Sequence, residues 1–286
     1  MWKMFIELMQ DADKNKILSY MLPYEKFSVM LYSEILHGGK SIYVLRGNFG
    51  EIHGIFSWWQ GSSIHHCLPE VYGKNRNEIE SAFVNFFEEN SIKYIFSISG
   101  EKSGTLMLKK ILENHFGKTP KIQIEYFLME NGRFDSAKDL ARMNRQLSVE
   151  KCTEQEIPRV FPLQVEFEKE EVVFEPELFN EDHCLAKFEN FVDAGAVFIG
   201  KIKNMPLCKL TVSAQGKNYV LLGGIFTIPK YRNCGLAKAL LNTVSQKFAA
   251  QSKKCTLFVK TENTAAIKVY EKTGFKKFCN FEILYY

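Results

Sequence analysis

The chain runs through the same series of elements twice, and this repeat limits its fold more than any other feature. "LHGGKSIYVLRGNFGEIHGIF" and "VDAGAVFIGKIKNMPLCKL" both read as helix end, glycine, strand, polar turn and strand. Further on, "CLPEVYGKNRNEIESAFVNFF" falls under "TIPKYRNCGLAKALLNTVSQK", with Pro69 beneath Pro229. In that register Tyr72, Asn75 and Asn77 stand where the second copy has Arg232, Gly235 and Ala237. The first copy keeps the pattern and lacks those special residues.

Each copy fills out in the same way. The first predicts helices over about 3–20 and 24–37, then strands at "SIYVLRG", "EIHGIFSWW" and "SSIHHC". A helix at about 75–90, a strand "KYIFSIS", a helix at about 103–116 and a strand "KIQIEYFLME" follow. The second opens with strand "LSVEKC" and a helix capped by Thr153, with Glu156 completing a capping box. It continues with a helix ending at Ala194-Gly195, a hairpin, strand "YVLLGGIFT", a helix from Gly235, strand "CTLFVK", helix "NTAAIKVYEKTG" and a closing strand. Strands alternating with helices imply an α/β class with part of the sheet parallel. The expectation is two tandem α/β domains, 1–135 and 147–286, each a mixed twisted sheet flanked by helices. The polar segment 136–146 joins them as a linker.

Bulk properties narrow the function. With 286 residues, each half is long enough to bury a core. A net charge of +4 without any Lys/Arg tract suits anionic ligands and argues against a nucleic-acid partner. Seven cysteines, odd in number and without CxxC spacing, read as reduced thiols of a cytoplasmic protein. The first residues lack a signal-peptide pattern, and no stretch approaches the roughly 20 apolar residues of a membrane span. His65, His66 and Cys67 do not make a metal site, because neighbours on a strand face opposite ways; no metal is expected.

The chemistry concentrates in "TIPKYRNCGLAKALL", where an apolar strand leaves through a short basic turn into a helix. A helix N-terminus offers about four free N–H groups and roughly half a positive charge, which suits phosphate. Gly235 lets a ligand approach the backbone, Ala237 keeps the first turn clear, and Arg232 either grips oxygens or orders the loop. A Walker loop would need Gly-Lys-Ser/Thr, and Leu236-Ala237 follows Gly235 instead. A Rossmann fingerprint would need G-x-G-x-x-G and a later acid, and neither is present. Downstream, "LFVKTENTAAIKVYEKTGF" sets Asn263 at a helix start, with Ala266 and Tyr270 one turn apart and Gly274 where a left-handed cap ends the helix.

These two motifs resemble those of the GNAT superfamily of acyl-CoA-dependent N-acetyltransferases. The phosphate motif R/Q-x-x-G-x-G/A is matched by Arg232-Asn233-Cys234-Gly235-Leu236-Ala237, and Asn-x-x-Ala-x-x-x-Tyr-Glu-x-x-Gly-Phe by Asn263 through Phe275. The resemblance covers about 147–286, and the whole chain is similar to tandem-GNAT proteins with a degenerate first copy. It implies acetyl-CoA as cosubstrate, held by main-chain groups of Ile225, Phe226 and Thr227 and by the backbone from Asn233 to Ala237, Cys234 and Leu236 included. It further implies that Asn263 and Ala266 meet the pantetheine arm and that Tyr270 is the general acid for the leaving thiolate.

The acceptor implied is a primary amine on a small molecule or peptide. An amine with a pKa of about 10.4 needs a base at neutral pH. Glu170 and Glu171, in "EFEKEEVVFEPE", are the candidates; a charge run on a helix is otherwise a solvated face. Phe161, Phe167 and Phe174 are either acceptor-pocket lining or core. Two other readings stand beside catalysis: a non-catalytic acyl-CoA-binding module, and an aminoacyl-tRNA-dependent transferase, which the mild charge disfavours. A monomer or homodimer is expected.

Overall fold

The computed structural model describes residues 3–59, 62–71, 73, 75–131, 147–173, 177 and 179–286. The predicted linker 136–146, Tyr72 and Phe174 lie outside the described residues. The chain divides into two compact units. The N-terminal unit comprises Met1–Leu128 together with Phe258–Glu262 and Lys277–Tyr286, and the C-terminal unit comprises Met129–Leu257 and Asn263–Lys276.

In the N-terminal unit the elements are β1 (Phe5–Leu8), α1 (Lys14–Met21), α2 (Val29–Leu36), β2 (Ile42–Arg46) and β3 (Ile52–Trp59). β4 (Ser63–Cys67), α3 (Arg76–Glu89), β5 (Ser97–Glu101), α4 (Lys102–Phe116) and β6 (Ile122–Asn131) follow. Strands β1 to β5 lie side by side in chain order, antiparallel except for the parallel pair β4–β5. Helix formation at the chain start is corrected: Phe5–Leu8 is a strand, paired from Phe5↔Arg46 to Leu8↔Tyr43. Tertiary pairing overrides the local pattern there, and buried Arg46 fixes it by bonding Glu7 and, at 2.7 Å, Asp13. The strand predicted at "KYIFSIS" starts only at Ser97. Behind this sheet an aromatic core gathers Phe56, Phe83, Phe86 and Phe87, with Tyr43 stacked on Phe56 at 5.3 Å.

The C-terminal unit repeats the order. Its elements are β7 (Ser148–Lys151), α5 (Ile157–Phe167), α6 (Glu181–Asp193), β8 (Val197–Ile202), β9 (Met205–Gln215), β10 (Tyr219–Thr227), α7 (Leu236–Ala249), β11 (Lys254–Lys260) and α8 (Thr264–Glu271). Strands β7 to β11 again follow chain order, and β10–β11 is the parallel pair. The capping box of Thr153 and Glu156 forms as read, and Lys201 adds ion pairs to Glu156 and Glu150. The repeat register holds to the residue in one place: with Asn75 beneath Gly235, the ends of α3, Arg76 and Glu89, fall beneath Leu236 and Ala249, the ends of α7.

The last strand, β12 (Phe275–Tyr285), closes the second repeat in sequence, yet Lys277–Tyr286 belong to the N-terminal unit. There β12 lies between β5 and β6, with Phe281↔Glu101 and Tyr285↔Ser97 in antiparallel register. Leu284 is fully buried in that unit's core.

Candidate functional site

The site in the C-terminal unit grows from the way β10 leaves its neighbour. Parallel pairing with β11 runs from Tyr219↔Lys254 to Leu222↔Leu257 and stops. On the other side β10 still pairs with β9, at Phe226↔Lys209 and Thr227↔Cys208, after a bulge between Gly223 and Phe226. Ile225, Phe226 and Thr227 therefore keep one main-chain edge without a ladder partner from β11. Thr227 Oγ1 is buried and has no hydrogen-bond partner, the kind of orphan a bound ligand satisfies.

The bulge is shaped around a buried lysine that sequence reading missed. Gly224 sits at φ +54°, and a Cβ there would stand 3.1 Å from both Lys209 Nζ and Thr211 Oγ1. Lys209 Nζ donates to Gly224 O at 2.8 Å and lies 4.6 Å from the centre of the Phe167 ring. Burial pulls its ammonium down to about 7, against the upward pull of Glu168. Glu168 is itself buried and accepts from Gln164. One alternating strand pattern, "LCKLTV", concealed this: a lysine among apolar residues reads as facing solvent, whereas Lys209 is fully enclosed.

After Thr227 the chain makes a short turn, Pro229–Tyr231, and enters α7. Asn233 at φ +62° and Gly235 at φ +75° are both left-handed, a backbone that turns N–H groups toward one side. Gly235 is the N-cap, and no side chain caps the helix. The first-turn donors of this 14-residue helix are thus left to solvent or a ligand. Leu236 anchors the start by burial, Ala237 is half-buried, and Cys234 is exposed. Arg232 orders the loop: Nε donates to Thr227 O at 3.1 Å, and the guanidinium stacks 5.3 Å from the centre of Phe226. Its Nη2 also bonds Glu170 Oε2 at 2.6 Å.

The second motif meets the same acidic segment. Asn263 caps α8, with Oδ1 accepting from Ala266 N at 3.0 Å, so the capping reading of this residue holds. Its amide nitrogen donates to Glu171 Oε1 at 3.1 Å. Tyr270, one turn beyond Ala266, is buried beside Phe275 at 6.3 Å between ring centres. Burial first, then the nearby Glu171 carboxylate, raise the Tyr270 phenol above its ordinary value. Glu168, Glu170 and Glu171 all come from one π-helical turn, Glu168–Val172, at the end of α5. That turn reaches the bulge lysine, the cradle arginine and the Asn263 cap with three carboxylates in four residues. Phe167 covers Lys209, and Phe161 packs on Phe188 at 6.0 Å in the core.

Residues 155–275 match the family model described as the acetyltransferase (GNAT) family. No curated protein matches the chain. Among solved structures, a GNAT-family acetyltransferase from Colwellia psychrerythraea is 13% identical with TM-score 0.60, over 98% of this chain and 99% of that one. A tandem GNAT protein from the clavulanic acid biosynthesis pathway is 12% identical, with TM-score 0.60 and coverage of 99% and 98%. A Drosophila protein gives 11% and 0.64 over 99% and 98%. At these identities the likeness is one of fold, and it extends over the full chain.

Proposed function

We propose, from the match of residues 155–275 to the acetyltransferase (GNAT) family model, that the protein transfers an acetyl group from acetyl-CoA to a primary amine by direct attack. The observation that carries the reading is the uncapped start of α7, left-handed at Asn233 and Gly235, beside the free edge of β10 with the orphaned Thr227 hydroxyl. A pyrophosphate fits such a helix end through backbone N–H groups from Asn233 to Ala237. The pantetheine amides fit the free edge of Ile225, Phe226 and Thr227 as an added strand would.

In this mechanism a β10 amide donates to the thioester oxygen as it gains charge. Tyr270, its phenol held protonated by burial, gives its proton to the departing thiolate. Lys209 holds the bulge carbonyl and so sets the course of β10 toward the reacting carbonyl. Glu171, bonded by Asn263 and close to Tyr270, and Glu170, bonded by Arg232, are the candidate bases for the incoming ammonium. Holding both substrates together supplies proximity, a large share of the rate in direct transfers. We assign residues 1–135 to a degenerate copy and 147–286 to the catalytic copy, with 136–146 between them.

The test is thiol release from acetyl-CoA over a panel of small-molecule and peptide amines. Turnover on an amine that fails with Tyr270→Phe supports the mechanism. Tight acetyl-CoA binding without turnover on any amine favours a non-catalytic acyl-CoA-binding module, a reading to which the existing bonds of both Glu170 and Glu171 lend weight.

A further inference from the structure

The bulge of β10 isolates one peptide group. Pairing with β11 ends at Leu222↔Leu257, and the β9 register jumps from Gly223↔Thr211 to Phe226↔Lys209. Gly224 and Ile225 therefore have no register partner on either neighbouring strand. The Gly224 carbonyl is satisfied all the same, because Lys209 Nζ donates to it at 2.8 Å. No cis peptide bond occurs among the described residues, and in a trans peptide the N–H points opposite to the C=O. Ile225 N–H thus points away from Lys209, and neither ladder assigns it a partner.

The surroundings commit Lys209 to this carbonyl. The side chain is fully enclosed, with the Phe167 ring centre 4.6 Å from Nζ. Gly224, at φ +54°, makes the approach possible: a Cβ there would stand 3.1 Å from Lys209 Nζ and from Thr211 Oγ1. An apolar side chain would fill the same space without the cost of desolvating an amine. What the amine adds is a donor on one carbonyl and, with its proton, a charge.

That charge is adjustable. Burial is the largest influence on Lys209 and brings its amine down to about 7. Lys187 of α6 adds to this, while Glu168 of the π-helical turn and Cys184 of α6 oppose it. Below about 7 Gly224 O accepts from an ammonium, and above it from a neutral amine. Charge-assisted hydrogen bonds are roughly twice as strong as neutral ones, and bonds in series polarise one another. An ammonium on Gly224 O therefore makes the N–H of the same peptide group, that of Ile225, the stronger donor.

We propose that Lys209 is a positioning residue for acetyl transfer: it holds and polarises the Gly224–Ile225 peptide so that Ile225 N–H binds the thioester oxygen, and its charge sets the strength of that bond. This role rests on the transferase reading, in which β10 lies along the pantetheine arm. It adds which amide meets the developing negative charge and what tunes that amide. As pH rises through about 7 Lys209 loses its proton, and kcat per deprotonated acceptor falls.

The experiment records the infrared band of the thioester carbonyl in acetyl-CoA, labelled with carbon-13 at that position and bound to the full chain, at pH 6 and pH 8.5. It needs no acceptor amine. The expected band lies below that of free acetyl-CoA, and further below it at pH 6 than at pH 8.5. Lys209→Gln keeps an N–H donor without charge, and its band stands at one position at both pH values. With an amine found by the panel, this variant has kcat about ten-fold below the wild type at pH 6 and about two-fold below at pH 8.5, with KM for acetyl-CoA nearly unchanged. A wild-type band that does not move with pH, or a variant band that moves as the wild type's does, overturns the role of Lys209 and leaves the transferase reading standing. A folded wild type that does not bind acetyl-CoA overturns both. If Lys209→Gln fails to fold, the wild-type pH series decides alone.

Discussion

At the scale of single residues, buried ionisable groups make the most direct predictions. Tyr270→Phe keeps the ring and its packing on Phe275 but removes the proton donor. It lowers kcat at least ten-fold and leaves acetyl-CoA affinity nearly unchanged, as steady-state kinetics and titration together will show. Lys209 has a folded value of about 7, below the ordinary lysine value near 10.4, so between them the unfolded chain holds more protons. Its contribution to stability therefore grows as pH rises from about 7, and Lys209→Met abolishes that rise; denaturation midpoints at pH 7 and 9 measure it. His66 has the same sign lower down: its folded value of about 3 lies below the ordinary 6.5. The N-terminal unit thus loses stability as pH falls below about 6.5. The cradle and cap residues were legible in the sequence because they belong to fixed spacings. Lys209, Glu168 and the orphaned Nδ1 of His66 were not, since burial of a polar side chain is decided by partners distant in the chain.

At the scale of elements, the bulge in β10 and the start of α7 do the positioning. Gly235 adopts a left-handed conformation at φ +75°, which a Cβ penalises by about 1–2 kcal/mol. Gly235→Ala accordingly lowers stability by that order and weakens acetyl-CoA binding, as chemical denaturation and titration will record. The π-helical turn Glu168–Val172 is the second positioning element, tying Arg232 and Asn263 to one short acidic segment. The sequence displayed its charges plainly, but a charge run reads as a solvated face. From this turn the neighbours Glu170 and Glu171 point to different motifs, one to Arg232 and the other to Asn263. The opposite error lies at Phe5–Leu8, where helical patterning over about 3–20 predicts a helix and the segment pairs instead with β2.

At the scale of the whole molecule, a repeat visible in sequence became a repeat of topology, down to matching ends of α3 and α7. What the sequence did not disclose was the placement of β12, because strand order depends on pairing and not on chain order. Since Phe281 and Leu284 are buried with the N-terminal unit, truncation after Lys276 exposes the edge of β5 and destabilises that unit. Differential scanning calorimetry of the truncated chain will show a lowered or missing transition. No helix among the described residues is long and apolar enough to cross a membrane. The central claim is that the start of α7 receives the pyrophosphate of acetyl-CoA. Calorimetric titration of acetyl-CoA into the wild type and into Gly235→Glu tests it most directly. Binding to the wild type that the folded variant has lost is the predicted result. A folded wild type that does not bind, or a variant that binds equally well, would contradict it.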